Sequence, residues 1–263
     1  VGVFYKLHAL LSVLFKKHVA MSLSNFSRKI WSSLTFAFQV TAVMWAIQAF
    51  QYFLNFDLGR FGVFPRTDFG LRGIIFSPFI HANWEHLMAN TPPLFALVTL
   101  IQFFYRRVAL PSMLTIYLLT GAAVWAFGRP VFHIGASGVI YGLVAFVFWT
   151  GIFRRNLKSI ALALLVAFYY GSMFLGILPG QEGISWESHL LGGIVGIFVA
   201  FIFKGSVEQD EKPRVPSWEL DGSAKEDQFF LDRDVFDRTL EQRKKEKLER
   251  RDDGYSNWFS NRT

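Results

Sequence analysis

Apolar runs separated by short charged connections dominate the chain up to residue 204. Six such runs lie near 34–54, 85–105, 110–127, 136–153, 157–178 and 186–203. About 20 predominantly apolar residues are needed for a helix to cross a bilayer, and each run reaches or nearly reaches that length. The pattern therefore predicts an all-α membrane protein with six transmembrane helices. The fourth run is short, as expected where protein rather than lipid shields its first turn. The second opens on polar residues, which is unusual for a helix facing lipid.

The flanks differ from this core. Residues 1–33 carry Lys6, Lys16, Lys17, Arg28 and Lys29 around an apolar patch from Ala9 to Phe15. That patch is too short for a signal peptide and lacks a small-residue cleavage site, so a basic interfacial or disordered arm is expected. Met21 offers an alternative start, which leaves open whether residues 1–20 are translated. Residues 205–263 hold charges of both signs and few aliphatic side chains, with Pro213 and Pro216 near their start. They read as a charged cytoplasmic tail without catalysis, in which Asp234 to Arg251 is a candidate solvated helix.

The connections set the orientation. Arg106 and Arg107 lie between runs two and three, Arg154, Arg155 and Lys158 between runs four and five, and Lys204 follows run six. Between runs five and six there is no basic residue, only Glu182 and Glu187, and Arg129 alone lies between runs three and four. Because basic loops stay cytoplasmic, both termini are expected inside. The 55–84 segment, with Arg60, Arg66 and Arg72, is the exception on the outer side, and its phenylalanines predict a fold back onto the membrane surface.

Composition agrees. Hydrophobic residues make up 52% of the 263 and aromatic ones 17%, above an ordinary soluble domain. Residues 1–204 contain 15 basic and 5 acidic side chains, an excess that sits in short loops and signals topology rather than nucleic-acid binding. With no cysteine, disulfides, thiol catalysis and cysteine-ligated metal are excluded.

Polar side chains inside the runs are few: His86 and Asn90 in the second, Ser137 at the start of the fourth, His189 at the start of the sixth. Each has a plain reading alone. His86 and Asn90, one turn apart, would tie two helices together, Ser137 would cap its helix, and His189 would sit at the interface. Depth argues against coincidence. Asn90 precedes Arg106 by 16 residues, Ser137 precedes Arg154 by 17 and His189 precedes Lys204 by 15. At the helical rise these are heights of roughly 22–26 Å above the cytoplasmic boundary, one level below the outer surface. Gly138 and Gly142, and Gly192 and Gly196, form two G-x-x-x-G pairs of the kind that lets helix backbones approach in lipid. Packing those faces brings Ser137 toward His189, the minimum for nucleophilic catalysis. Tyr141, one turn below Ser137, is placed to lean on the imidazole. No buried carboxylate competes for a third role, so the expectation is a dyad. Asn90, His86 and the Ser137 backbone N–H are the candidate oxyanion donors.

Three stretches carry a family resemblance: Phe79-Ile80-His81-Ala82-Asn83-Trp84-Glu85-His86-Leu87-Met88-Ala89-Asn90, Gly135-Ala136-Ser137-Gly138 and Ser188-His189-Leu190-Leu191-Gly192. In this order they strongly resemble the rhomboid intramembrane serine proteases over about residues 34–204. The resemblance implies a six-helix rhomboid-like bundle, Ser137 as nucleophile, His189 as base, His86 and Asn90 at the oxyanion and Tyr141 stacked on the base. One motif departs. Family members often carry Trp-Arg in the first loop, where this chain has Leu71-Arg72 one residue further from His81, which puts the packing of that loop in question.

The chain thus reads as a multi-pass intramembrane serine endopeptidase acting on transmembrane protein substrates within the lipid bilayer. The implied substrates are single-span proteins whose helix unwinds easily, with a small residue before the cut. The expected location is the cell (inner) membrane. No cofactor or metal is expected, because His81, His86 and His189 lack carboxylate partners at ligand spacing. Two alternatives stand beside this reading. One is a non-enzymatic rhomboid-like binder of membrane helices, which typically lacks the serine or histidine. The other is a small transporter, against which the absence of an internal repeat argues.

Overall fold

From Val3 to Leu58 the chain contains neither glycine nor proline, and nothing interrupts a helix there. The computed structural model, which describes residues 2–179, 185–206 and 239–245, accordingly has one helix, α1, over Gly2–Phe53. The expected arm over 1–33 and first span are continuous rather than separate elements. Ser33 is buried, Lys29 lies 4.9 Å above the Phe103 ring, and Ser32 accepts from Arg106. This part of α1 belongs to the folded body. The helix ends where Asn55 takes a left-handed conformation (φ 50°), which asparagine tolerates better than most residues.

Further described α-helices are α2 (Gly73–Phe76), α3 (Trp84–Phe104), α4 (Arg106–Phe127), α5 (Ser137–Arg154), α6 (Leu157–Tyr170) and α7 (Trp186–Phe203). Asn83 caps α3 by accepting from the His86 N–H at 2.8 Å, and Asn156 caps α6 by accepting from Ser159. Among the described residues five helices are long and apolar enough to cross a membrane: Leu23–Phe53 of α1, and α3, α4, α5 and α7. The fifth apolar run differs from expectation. It forms the 14-residue α6 and then a 3-10 helix over Gly171–Ile177. Two glycines fall in that second part, and two of its carbonyls accept side-chain bonds instead of remaining in a regular α-helical ladder.

Half of α5 is buried, a larger share than in any other of the five. Phe146, Val147, Leu143 and Ile140 pack from it into a core shared with Leu87, Leu97, Ile101, Ile116 and Val199. Against α7 the backbones themselves touch. A Cβ on Gly192 would collide with the Gly138 carbonyl, and one on Gly196 with the Gly142 carbonyl.

Between α1 and α3 the chain forms short helical turns pinned to the far end of α4. Arg66 donates to the carbonyls of Ala126 and Gly128, its N–H to Trp125, and the Trp125 indole to Thr67. Arg72, of the departing Leu71-Arg72 pair, donates to the Arg60 carbonyl and sits 4.6 Å above the Phe61 ring. The loop is thereby packed without the tryptophan. Of the tail, residues 240–245 are helical and exposed, and the rest of the Asp234 to Arg251 run lies outside the described residues.

Candidate active site

Ser137 is the first residue of α5. The N-cap is Ala136, and no side chain caps this end, so the Ser137 hydroxyl is not used in the way its plain reading supposed. An α-helix leaves its first N–H groups without internal acceptors, and here they belong to Ser137 and its followers. The approach to the helix is set by Gly135, whose φ of +100° suits glycine alone. Its N–H donates to the Ser77 carbonyl at 2.9 Å. A Cβ at Gly135 would lie 2.6 Å from Cε1 and 2.8 Å from Nε2 of His86, so the half-buried imidazole rests on the backbone two residues before Ser137.

Asn90 is buried and donates one amide N–H to the His86 carbonyl at 2.9 Å. Among the described residues its second N–H meets no protein acceptor. Asn90 and Ser137 both line a cavity of about 450 Å³, with Pro93, Ile140, Tyr170 and Met173 among its other walls. Pro92 and Pro93 cannot donate to the preceding turn, which loosens the helical ladder along this wall.

His189 is buried on α7. Its ring lies parallel to that of Tyr141, with centroids 4.1 Å apart and 8° between planes. Nδ1 is 2.9 Å from the Gly176 carbonyl oxygen, and the Tyr141 hydroxyl donates to the Met173 carbonyl at 2.6 Å. Both acceptors come from the 3-10 segment after α6. A carbonyl only accepts, so Nδ1 carries the proton of the neutral ring and Nε2 keeps the lone pair. No direct hydrogen bond joins Ser137 to His189 among the described residues. Their chain neighbours meet at the helix crossing, where a Cβ on Gly138 would lie 3.1 Å from the Ser188 carbonyl oxygen.

The two backbone acceptors, Gly176 and Met173, went unnoticed in the sequence, since a carbonyl is common to every residue. His81 is likewise more enclosed than its motif suggested. It is 1% exposed, its ring is 5.0 Å from that of His86, and among the described residues neither ring nitrogen makes a hydrogen bond of good geometry. Burial, reinforced by the neighbouring His86, pulls its pKa down to about 4. It packs edge-on against His86. Among the described residues no cluster of three or more His, Cys, Asp or Glu side chains has metal-binding geometry.

Comparison with known proteins places this chain in a family. The Rhomboid domain is matched over residues 69–206, just over half of the chain. An uncharacterized Mycobacterium tuberculosis protein is 40% identical over 150 residues, 54% of this chain and 62% of that one. An uncharacterized Mycobacterium leprae protein is 35% identical over 173 residues, covering 61% and 67%. A putative rhomboid protein of Acanthamoeba polyphaga mimivirus is 28% identical over 155 residues, covering 55% and 84%. The chain thus spans less than two thirds of the Mycobacterium tuberculosis relative's length. It belongs to the rhomboid family and is an integral, multi-pass membrane protein.

Proposed function

We propose that this protein is an intramembrane serine endopeptidase that cleaves transmembrane proteins with a Ser137–His189 dyad. The observation that carries the reading is the fixing of the His189 ring. Stacked on Tyr141 and held at Nδ1 by the Gly176 carbonyl, it presents Nε2 as the basic nitrogen. Family membership supports the same activity.

In this reading the Ser137 Oγ attacks the scissile carbonyl carbon while its proton passes to Nε2 of His189. The carbonyl oxygen becomes an oxyanion, met by the Ser137 backbone N–H, the second amide N–H of Asn90 and His86. His189, now imidazolium, keeps its bond to the Gly176 carbonyl and lies against the Tyr141 face, where the ring quadrupole favours the charge. It returns the proton to the leaving nitrogen as the C–N bond breaks. Water then repeats the sequence on the acyl-enzyme and frees the acid.

The reading carries six crossings with both termini cytoplasmic, in the cell membrane. Fourteen α-helical residues and seven in a 3-10 helix together extend about 35 Å, against a hydrocarbon core of about 30 Å, so the fifth run has the length to span. Substrates are proposed to be single-span proteins with easily unwound helices, and the chemistry uses no cofactor. The test is cleavage of a model single-span substrate by purified protein. Ser137→Ala and His189→Ala are each expected to abolish it while remaining folded, and near wild-type cleavage by either folded variant would refute the dyad.

A further inference from the structure

The loop between α4 and α5 is joined to the first turn of α7 by side chains that the proposed reaction does not use. Arg129 forks onto Glu187, Nε to Oε1 and Nη2 to Oε2, the latter at 3.1 Å. Its carbonyl oxygen lies 3.0 Å from Nε2 of His133. Nδ1 of His133 is 2.5 Å from Ser185 Oγ, which is 2.6 Å from Ser188 Oγ. His133, Glu187 and Ser188 are all buried. The His133 backbone also exchanges both hydrogen bonds with Val63, at 2.8 and 2.9 Å, which ties the same loop to the segment before α2.

The direction of every bond follows from the first. The Arg129 carbonyl only accepts, so Nε2 of His133 donates and the neutral ring accepts at Nδ1. At 2.5 Å Ser185 then donates to Nδ1 and accepts from Ser188, whose own Oγ lies farther from Nδ1, at 3.5 Å. Burial holds the His133 pKa below its ordinary value. The charge of Arg129 acts the same way, while the bond to its carbonyl and the Glu187 carboxylate oppose it. The neutral ring that this bond order requires is therefore the favoured one.

The relay ends beside the chemistry. Ser188 directly precedes His189, and its carbonyl lies against Gly138, the residue after Ser137. The Tyr141 stack and the Gly176 carbonyl set the orientation of the His189 ring, but neither sets where α7 begins. We propose that His133 and Ser185 are positioning residues, a hydrogen-bonded clip that holds the first turn of α7 so that His189 stands at proton-transfer distance from Ser137. This inference rests on the reading of Ser137 and His189 as nucleophile and base.

The test uses the full chain in detergent, with kcat and KM on a model transmembrane substrate and the rate of Ser137 labelling by a fluorophosphonate. Ser185→Ala is expected to lower kcat and the labelling rate roughly 10- to 100-fold, the scale on which remote misplacement slows enzymes, with KM little changed. Ser185→Thr, which keeps the hydroxyl, is expected to restore both. Wild-type rates in Ser185→Ala would overturn the clip, as would a loss that threonine does not rescue. Should Ser185→Ala not fold, His133→Phe, which removes both ring nitrogens from the clip, carries the same expectation, and a wild-type labelling rate there would overturn the proposal. Ser137→Ala and His189→Ala run in parallel. If both abolish labelling and Ser185→Ala does nothing, only the clip fails, whereas labelling that survives His189→Ala removes the dyad and the clip with it.

Discussion

The rings of Tyr141 and His189 lie parallel, 4.1 Å apart, and each is bonded to a different carbonyl of the same 3-10 segment. The stack and the segment thus restrain one another. Tyr141→Phe keeps the stack and loses one hydrogen bond, so its turnover is expected to fall less than about tenfold. Tyr141→Ala loses both, about 1–3 kcal/mol together, or roughly 5- to 150-fold in rate. Steady-state cleavage rates of the two variants check the order. Equal rates in both would detach the ring from the base.

Asn90 separates two roles. If its second N–H meets the oxyanion, Asn90→Ala lowers kcat more than it raises KM, because that charge exists only in the transition state. The loss of a single oxyanion donor reaches about 2.7–4 kcal/mol in other enzymes, and a smaller value is expected here since His86 and the Ser137 N–H remain. The bond to the His86 carbonyl is the structural share of the same side chain. Unchanged kcat with a lowered unfolding midpoint would leave Asn90 structural only.

Adjacent glycines on α7 are expected to behave oppositely. A Cβ at Gly192 meets the Gly138 backbone, which cannot yield without moving α5 from α7, whereas a Cβ at Gly193 has nothing within 4 Å. Gly192→Ala is therefore expected to cost about 1–3 kcal/mol and to lower activity through the Ser137–His189 separation. Gly193→Ala should be neutral or mildly stabilising. Thermal unfolding in detergent with parallel activity assays distinguishes them, and equal effects would contradict the crossing.

Much of the fold was legible because burial in lipid demands long uninterrupted apolar runs. The ends of α3, α4, α5 and α7 fall within a few residues of the expected ones. The close approach of α5 and α7 was legible for a similar reason, since glycine spacing advertises where backbones meet. The 3-10 end of the fifth run was not. Its apolar side chains suit either helix, and what sets it apart is a pair of carbonyls that no residue type announces. The proposed clip was hidden too, because His133 comes from a loop and Ser185 and Ser188 from the start of α7, far apart in the chain, and all are ordinary polar residues.

Orientation can be read directly, since the chain has no cysteine. Val131 and Leu157 are exposed positions at opposite ends of α5. In intact cells an impermeant thiol reagent is expected to label Val131→Cys and to miss Leu157→Cys until the membrane is opened. The reverse pattern would invert the proposed topology and place the site in the other leaflet.

The dyad is tested most directly by mapping where a serine-directed fluorophosphonate bonds. On the detergent-solubilised wild-type protein, mass spectrometry of the digested chain is expected to find the adduct on Ser137, with labelling lost in both Ser137→Ala and His189→Ala. An adduct on another serine, or Ser137 labelled at the wild-type rate in folded His189→Ala, would contradict the assignment of His189 as the base that activates Ser137.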